Sequence, residues 1–367
     1  MTPGLPPPAI VEPAPYEVSY GLVTGTVASG TRRIVIRTGG HLLADRRLRG
    51  RHFTVRVDLP LRETTVAVTA VDAQGRRATA RVAHVLGLPR AAAPTAHATH
   101  GDVRLQAQVS RLATGFSGSA GIYVASLTSG VGAAWNARAQ LPAASTLKLA
   151  IAVAALWRAD GVPAPGSYVD RTLRRMLVVS DNEAANELEV WLGGSTSGGG
   201  HAVTDLMASL GLDDTVMYGG YERELSSRSI PLRVDDQPRW GVGKRTSARD
   251  LAGLLRAVWL ASGGRGPLRA RAPGFTPRDA RYLLYLLAHV RDTGKLDREL
   301  IELPGVRVLH KAGWIKAARH DNGLVFWHGG VFVVTVMTYR PGGAGDSSDV
   351  LAGRVARAAL ARFARRH

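Results

Sequence analysis

The sequence predicts a multidomain chain, an all-β sandwich followed by an α+β domain in which an antiparallel sheet accompanies a helical half. Three observations predict it. Between Tyr16 and Leu88, apolar residues alternate in short runs broken by Ser29-Gly30, Gly39-Gly40 and Gln74-Gly75. A stretch rich in alanine, proline and threonine follows, and beyond it apolar residues recur at helical spacing. The last hundred residues return to strand-like runs and finish on an amphipathic helix. These boundaries give a proline-rich tail at 1–15, a sandwich at 16–88, a linker at 89–104 and a second domain at 105–367.

Taken in order, the tail has no periodicity and is expected to be extended. Strands are expected at 22–27, 33–37, 53–59, 64–71 and 78–85. In the third of these, Phe53, Val55, Val57 and Leu59 place every second residue on one face, as a half-buried strand requires. The stretch 64–75, ending Val-Thr-Ala-Val-Asp-Ala-Gln-Gly, resembles bacterial immunoglobulin-like repeats found beside cell-surface enzymes. That resemblance implies a spacing module, and no site is expected in it. His41, His52 and His84 read as surface or partly packed residues. His97 and His100 lie in the linker without a third metal ligand.

The second domain opens with a helical pattern at 103–112 and strands at 120–127 and 133–136. Ser145-Thr146-Leu147-Lys148 then precedes the apolar run 149–157. Pro142 favours an extended residue before it, while Ser145 and Thr146 suit a first helical turn. Three residues apart on a helix, Ser145 and Lys148 share a face, so an amine could take the hydroxyl proton. The helix N-terminus adds N–H groups that favour a developing oxyanion. Alone, so short a motif can also be a capped helix with a solvated lysine.

Two further stretches accompany it. Ser180-Asp181-Asn182 follows a helical segment at 171–179, and asparagine occurs only four times in the chain. If the stretch is extended, Ser180 and Asn182 face one way and Asp181 turns back to hold the loop. Lys311-Ala312-Gly313 ends an apolar strand at 306–309, where Gly313 would let substrate approach the backbone. Helices are expected at 183–192, 202–210, 248–259, 277–290 and 349–363. The glycine and serine run 193–200 reads as a loop. Strands at 306–311, 323–327 and 331–339 complete the sheet.

With these three motifs in this order, residues 105–367 resemble the class A β-lactamase and penicillin-binding serine hydrolase family. Tyr221-Glu222-Arg223-Glu224-Leu225-Ser226 is similar to that family's omega loop. The resemblance implies a serine β-lactamase fold and an acyl-enzyme on Ser145, with Lys148, or Glu222 through a water, removing the serine proton. It makes Glu222 the deacylating base and Ser180 the proton relay to the leaving nitrogen. Asn182 would bind the substrate's amide and Lys311 its carboxylate, while Gly313 lines the site. The N–H groups of Ser145 and Trp314 would form the oxyanion hole. The sequence departs from the family at Ala312, where a hydroxyl residue is usual, at the bulky Trp314, and at Arg223 and Ser226. These changes spare acylation more than fast deacylation. Hydrolysis of β-lactams is expected as the family default. A D,D-peptidase-like or slowly deacylating penicillin-binding protein acting on peptidoglycan is the alternative, and a non-catalytic wall-binding or sensor protein is a third reading.

This mechanism needs no cofactor and no metal, and His310, His320 and His328 read as satisfied strand histidines rather than zinc ligands. The net charge of +18 is carried almost entirely by arginine. Without zinc spacing, an aromatic RNA-binding signature or a clustered basic run, nucleic acid is not an expected partner. A small β-lactam or D-Ala-type peptide is, and anionic cell-wall polymers match the charge. A monomer is expected, and no apolar run is long enough for a transmembrane span. The family resemblance implies an extracytoplasmic or secreted protein. Met1-Thr2-Pro3-Gly4 has no basic, apolar leader, so a signal peptide is expected to have been removed or to lie upstream.

Overall fold

Among the described residues, eight strands build the first of two units, Met1–Ala93. They are β1 (Ala9–Glu12), β2 (Glu17–Ser19), β3 (Leu22–Thr26), β4 (Thr31–Thr38), β5 (His41–Arg47), β6 (His52–Arg56), β7 (Glu63–Asp72) and β8 (Arg77–Gly87). In this computed structural model, residues 4–221 and 243–365 are described. One sheet has the order β1-β3-β6 and the other β2-β8-β7-β4-β5. Val23, Phe53 and Val55 from the first meet Ile34, Ile36, Val66 and Val68 from the second in one apolar core. The alternation seen in the sequence thus becomes a two-sheet sandwich.

Three strands escaped the sequence reading of this unit: β2, only three residues long and paired with β8, and two others. Ala9–Glu12 pairs antiparallel with β3, so part of the expected tail belongs to a sheet. It is only four residues long and flanked by prolines, too short for a period to show. The other, β5, is mostly exposed and arginine-rich, and its place is set by pairing with β4 rather than by burial.

The second unit, Pro94–His367, begins with β9 (His100–Gly101), α1 (Val103–Thr114), β10 (Ser119–Ser126), β11 (Val131–Trp135) and β12 (Leu141–Pro142). Four helices follow, α2 (Lys148–Arg158), α3 (Tyr168–Val178), α4 (Asn182–Gly193) and α5 (Thr196–Ser209). Then come β13 (Arg245–Thr246), α6 (Ala248–Ser262), α7 (Pro267–Arg271) and α8 (Pro277–Leu287). The chain closes with β14 (Val306–Ile315), β15 (Ala318–Trp327), β16 (Gly330–Tyr339) and α9 (Gly345–Ala364). The main sheet runs β14-β15-β16-β10-β11-β9. Helices α1 and α9 share a core with it through Val109, Val334, Val355 and Phe363. The 89–104 stretch, expected as a linker, ends in regular structure. Here β9 pairs with β11, and Asp102 caps α1 by accepting from Leu105 N–H at 2.8 Å.

The glycine and serine run is helical rather than a loop. Ser195 caps α5 by accepting from Gly198 N–H, and Gly198, Gly199 and Gly200 lie inside the helix. A Cβ on Gly199 would sit 2.4 Å from Glu189 Cα, and one on Gly193 would sit 2.1 Å from the Gly198 carbonyl carbon. Helices α4 and α5 therefore cross with their backbones in contact. Glycine, usually a weak helix former, is what that crossing requires.

Candidate active site

The turn that carries Ser145 is tighter than the α-helix its sequence predicts. Ala144–Leu147 forms a 3-10 turn, and α2 starts only at Lys148. Ala144 has a φ of +47°, a conformation a non-glycine residue adopts only when its surroundings impose it. Those surroundings are specific. Thr146 Oγ1 donates to Ala143 O at 2.5 Å, and Ala143 N–H donates to Lys244 O at 2.9 Å. From below, β14 presses against the turn at Gly313, where a Cβ would lie 2.6 Å from Ser145 N and 2.7 Å from Thr146 N. Glycine was expected there to admit substrate. Its first requirement is the backbone of the turn that carries Ser145.

Lys148 and Lys311 are both fully buried and converge on the corner between α3 and α4. Lys148 Nζ donates to Ser180 O at 2.5 Å and Asn182 Oδ1 at 2.6 Å, with Ser180 Oγ at 3.4 Å. Lys311 Nζ donates to Ser180 Oγ at 2.9 Å and to Ala312 O at 2.8 Å. Ser180 and Asn182 thus share a side, although the expected extended segment is absent. Instead Ser180 has a φ of +60°, and Asn182 is the first residue of α4. Asp181 turns away and caps α4, accepting from Ala184 N–H at 3.1 Å and from Arg175 Nε at 2.9 Å. Burial raises its carboxyl, but these hydrogen bonds outweigh it and hold the group below the ordinary carboxylate range.

Strand β14 continues through the Lys311 motif to Ile315 instead of ending before it. Strand alternation sorts its residues onto two faces. On one, His310 pairs with Asp321 at 2.8 Å. Burial lowers that imidazole, yet the charge and hydrogen bond of Asp321 prevail and raise it overall. Burial brings Lys311 down to about 8, with Asp292 and Asp321 opposing the fall. His320, across from Gly313, accepts from Thr338 N–H through Nδ1 at 3.1 Å and so donates through Nε2 to Pro142 O at 2.6 Å. Burial holds it at about 4, and it is neutral. Both histidines are satisfied by protein groups, whereas His328 is exposed. Trp314 is 60% exposed at the end of the motif.

Asn186 and Lys244 were not singled out by sequence, and Tyr221 entered only as the first residue of the omega-like stretch. Asn186, one turn beyond Asn182 on α4, accepts from Tyr221 N–H at 2.7 Å and donates to Tyr221 O at 3.1 Å. The Tyr221 ring lies under Lys148 Nζ at 4.7 Å and Lys244 Nζ at 4.9 Å, and its hydroxyl donates to Ala144 O at 3.2 Å. Lys244 also donates to Gly220 O at 2.8 Å. The available signal was Asn-x-x-x-Asn from 182 to 186, which puts both amides on one helical face. Glu222, Arg223 and Ser226 lie outside the described residues.

Among the described residues no cluster of three or more histidine, aspartate and glutamate side chains could hold a metal. Among them, too, no helix is long and apolar enough to cross a membrane.

Residues 104–161 and 163–363 match the family described as the beta-lactamase enzyme family. Among solved structures, PBP-A aligns at 22% identity with a TM-score of 0.58, over 74% of this chain and 100% of its own. An ancestral class A β-lactamase aligns at 22% identity and TM-score 0.56, over 71% of this chain and 100% of its own. The β-lactamase from Sphaerobacter thermophilus aligns at 20% and 0.54, over 71% and 97%. No curated protein matches the sequence.

Proposed function

The chain belongs to the beta-lactamase enzyme family, and on that premise we propose that it opens β-lactam amides onto Ser145, with release of the acyl group as the slow step. The observation that carries the reading is the convergence of two buried lysines on Ser180 beside the Ser145 turn. In the proposed step, Lys148 in its neutral form takes the Ser145 hydroxyl proton as Oγ bonds to the lactam carbonyl carbon. The carbon–nitrogen bond breaks, and Ser180 passes a proton to the nitrogen while Lys311 replenishes it. The N–H groups of Ser145 and Trp314 receive the oxyanion, a donor pair of the type worth about 3 kcal/mol each. Asn182 holds the substrate's amide, and Lys311 as an ammonium attracts its carboxylate.

A second reading, a D,D-peptidase-like or penicillin-binding protein that stays acylated, is favoured by specific residues. Ala312 supplies no hydroxyl and Trp314 is bulky, two changes that spare acylation more than release. A structural neighbour, a variant of PBP-A, is described as an acyl-enzyme complex with penicillin-G. That history is PBP-A's own and motivates the substrate to test.

The test is hydrolysis of a chromogenic cephalosporin by the protein beside Ser145→Ala and Glu222→Gln. One stoichiometric burst followed by slow turnover, absent in Ser145→Ala, is the expected result. Sustained turnover that Glu222→Gln reduces to a burst would restore the hydrolytic β-lactamase reading. Without any burst, the reading fails and peptidoglycan peptides become the next substrate; no reaction there leaves the non-catalytic wall-binding module.

A further inference from the structure

Tyr221 is placed with unusual care for an aromatic residue. Asn186 fixes its backbone through both N–H and C=O, and the preceding Gly220 threads a gap in which a Cβ would meet Asn186 Oδ1 and Thr196 Cγ2 at 2.9 Å each. The side chain is buried, and its hydroxyl reaches the carbonyl of Ala144, the left-handed residue that immediately precedes Ser145. Its ring lies 4.7 Å from Lys148 Nζ, which donates to Ser180 O and Asn182 Oδ1. Burial, with Glu189 adding to it, pushes the phenol well above its ordinary range, so it is neutral and cannot serve as a base.

We propose that Tyr221 is the positioning residue that keeps water away from Lys148 and so prolongs the life of the acyl-enzyme. The inference rests on the acyl-enzyme proposed above and adds what limits its release. Deacylation requires a water to attack the acyl carbonyl, the bond from that carbon to Ser145 Oγ to break, and a nearby base to take the water's proton while Oγ regains one. A water between Lys148 and the Ala144–Ser145 turn would have to occupy the space of the ring. The phenol offers no proton acceptor of sufficient basicity in its place.

The experiment follows the penicillin-G adduct by intact-protein mass spectrometry in the wild type, Tyr221→Phe and Tyr221→Ala. In parallel, limited labelling with acetic anhydride measures how accessible Lys148 is in each protein without substrate. Tyr221→Phe keeps the ring, so adduct lifetime and Lys148 labelling should stay within about threefold of wild type. Tyr221→Ala should shorten the adduct lifetime and raise Lys148 labelling by about tenfold or more, while the acylation rate changes less than the lifetime does. A general loosening would slow acylation as well, so the split between the two rates marks a shielding role. An unchanged lifetime in folded Tyr221→Ala overturns the proposal. If Tyr221→Ala does not fold, Tyr221→Val is used with the same expected direction. If the wild type forms no adduct, the acylation reading has failed; labelling then decides the shielding by itself, and equal Lys148 labelling in wild type and variant rejects it.

Discussion

Strands β5 and β14 each end a sheet, and they treat an open edge in opposite ways. In the sandwich, β5 shows arginines and an aspartate to solvent, and its ion pair from Arg33 to Asp45 is about half exposed on both sides. Charge of this kind discourages another strand from adding to the edge and contributes little to stability. In the second unit, β14 buries His310, Lys311, Ala312 and Gly313 in sequence, and the Ser145 turn packs against the same strand. The edge that one sheet must keep unattractive is, in the other, the surface on which the turn carrying Ser145 rests. What distinguishes them is the cover over the edge, and at Gly313 the contact on β14 leaves no room for a methyl group.

Four substitutions test that contrast. Gly313→Ala should have the largest effect, since its Cβ would fall 2.6 Å from Ser145 N. Burst kinetics with a chromogenic cephalosporin should show acylation slowed about 100-fold or more by a displaced turn, with the circular dichroism spectrum retained. A normal burst would mean that the turn yields, and that β14 is as tolerant as β5.

Next is Lys311, held at about 8 by burial. It carries its charge below that pH and loses it above, so acylation by a carboxylate-bearing β-lactam should decline as pH rises through about 8. In Lys311→Arg, whose charge persists, that decline should vanish even if the rate is about tenfold lower throughout. A wild-type profile that stays flat to pH 10 would remove Lys311 from carboxylate recognition.

His320 should act on stability. It is held at about 4, below the ordinary value of 6.5. Between those limits the unfolded chain takes a proton that the folded one refuses, so stability is lost as pH falls from about 6.5 towards 4. The full loss is on the order of 3 kcal/mol, and melting temperatures against pH should show it in the wild type and not in His320→Asn. Smallest of all, Arg46→Ala on β5 should change unfolding free energy by less than about 0.5 kcal/mol and leave the burst untouched. An effect as large as those on β14 would break the comparison.

The sequence disclosed the polar side chains that converge at the site better than the scaffolding that holds them. Ser145, Lys148, Ser180, Asn182 and Lys311 stand in short motifs, and the chain brings Lys148, Ser180, Asn182 and Lys311 within hydrogen-bonding distance. Tyr221 and Lys244 are far from those motifs along the chain and acquire meaning only when Asn186 and the Ala143 turn draw them in. A periodicity cannot report a contact of that kind. The same holds for β5, whose pairing with β4 leaves no apolar signature, and for α5, whose glycines imitate a loop because they answer to a neighbouring helix. Alternation succeeded wherever one face was buried, as in β6, and failed where backbone rather than side chain made the contact.

The crossing of α4 over α5 has a reach beyond its own packing. Helices that meet through ordinary side chains keep their axes about 8–10 Å apart, and a bare-backbone crossing draws them nearer. Glu189, where Gly199 touches α4, is one turn from Asn186, and Asn186 holds Tyr221. A single methyl group at position 199 would act as a wedge under that turn and lift the anchor of the ring over Lys148. The tolerance of the site is in this sense set by a hydrogen atom on the far side of a helix, and surveys of inactivating changes should find position 199 alongside the reacting residues.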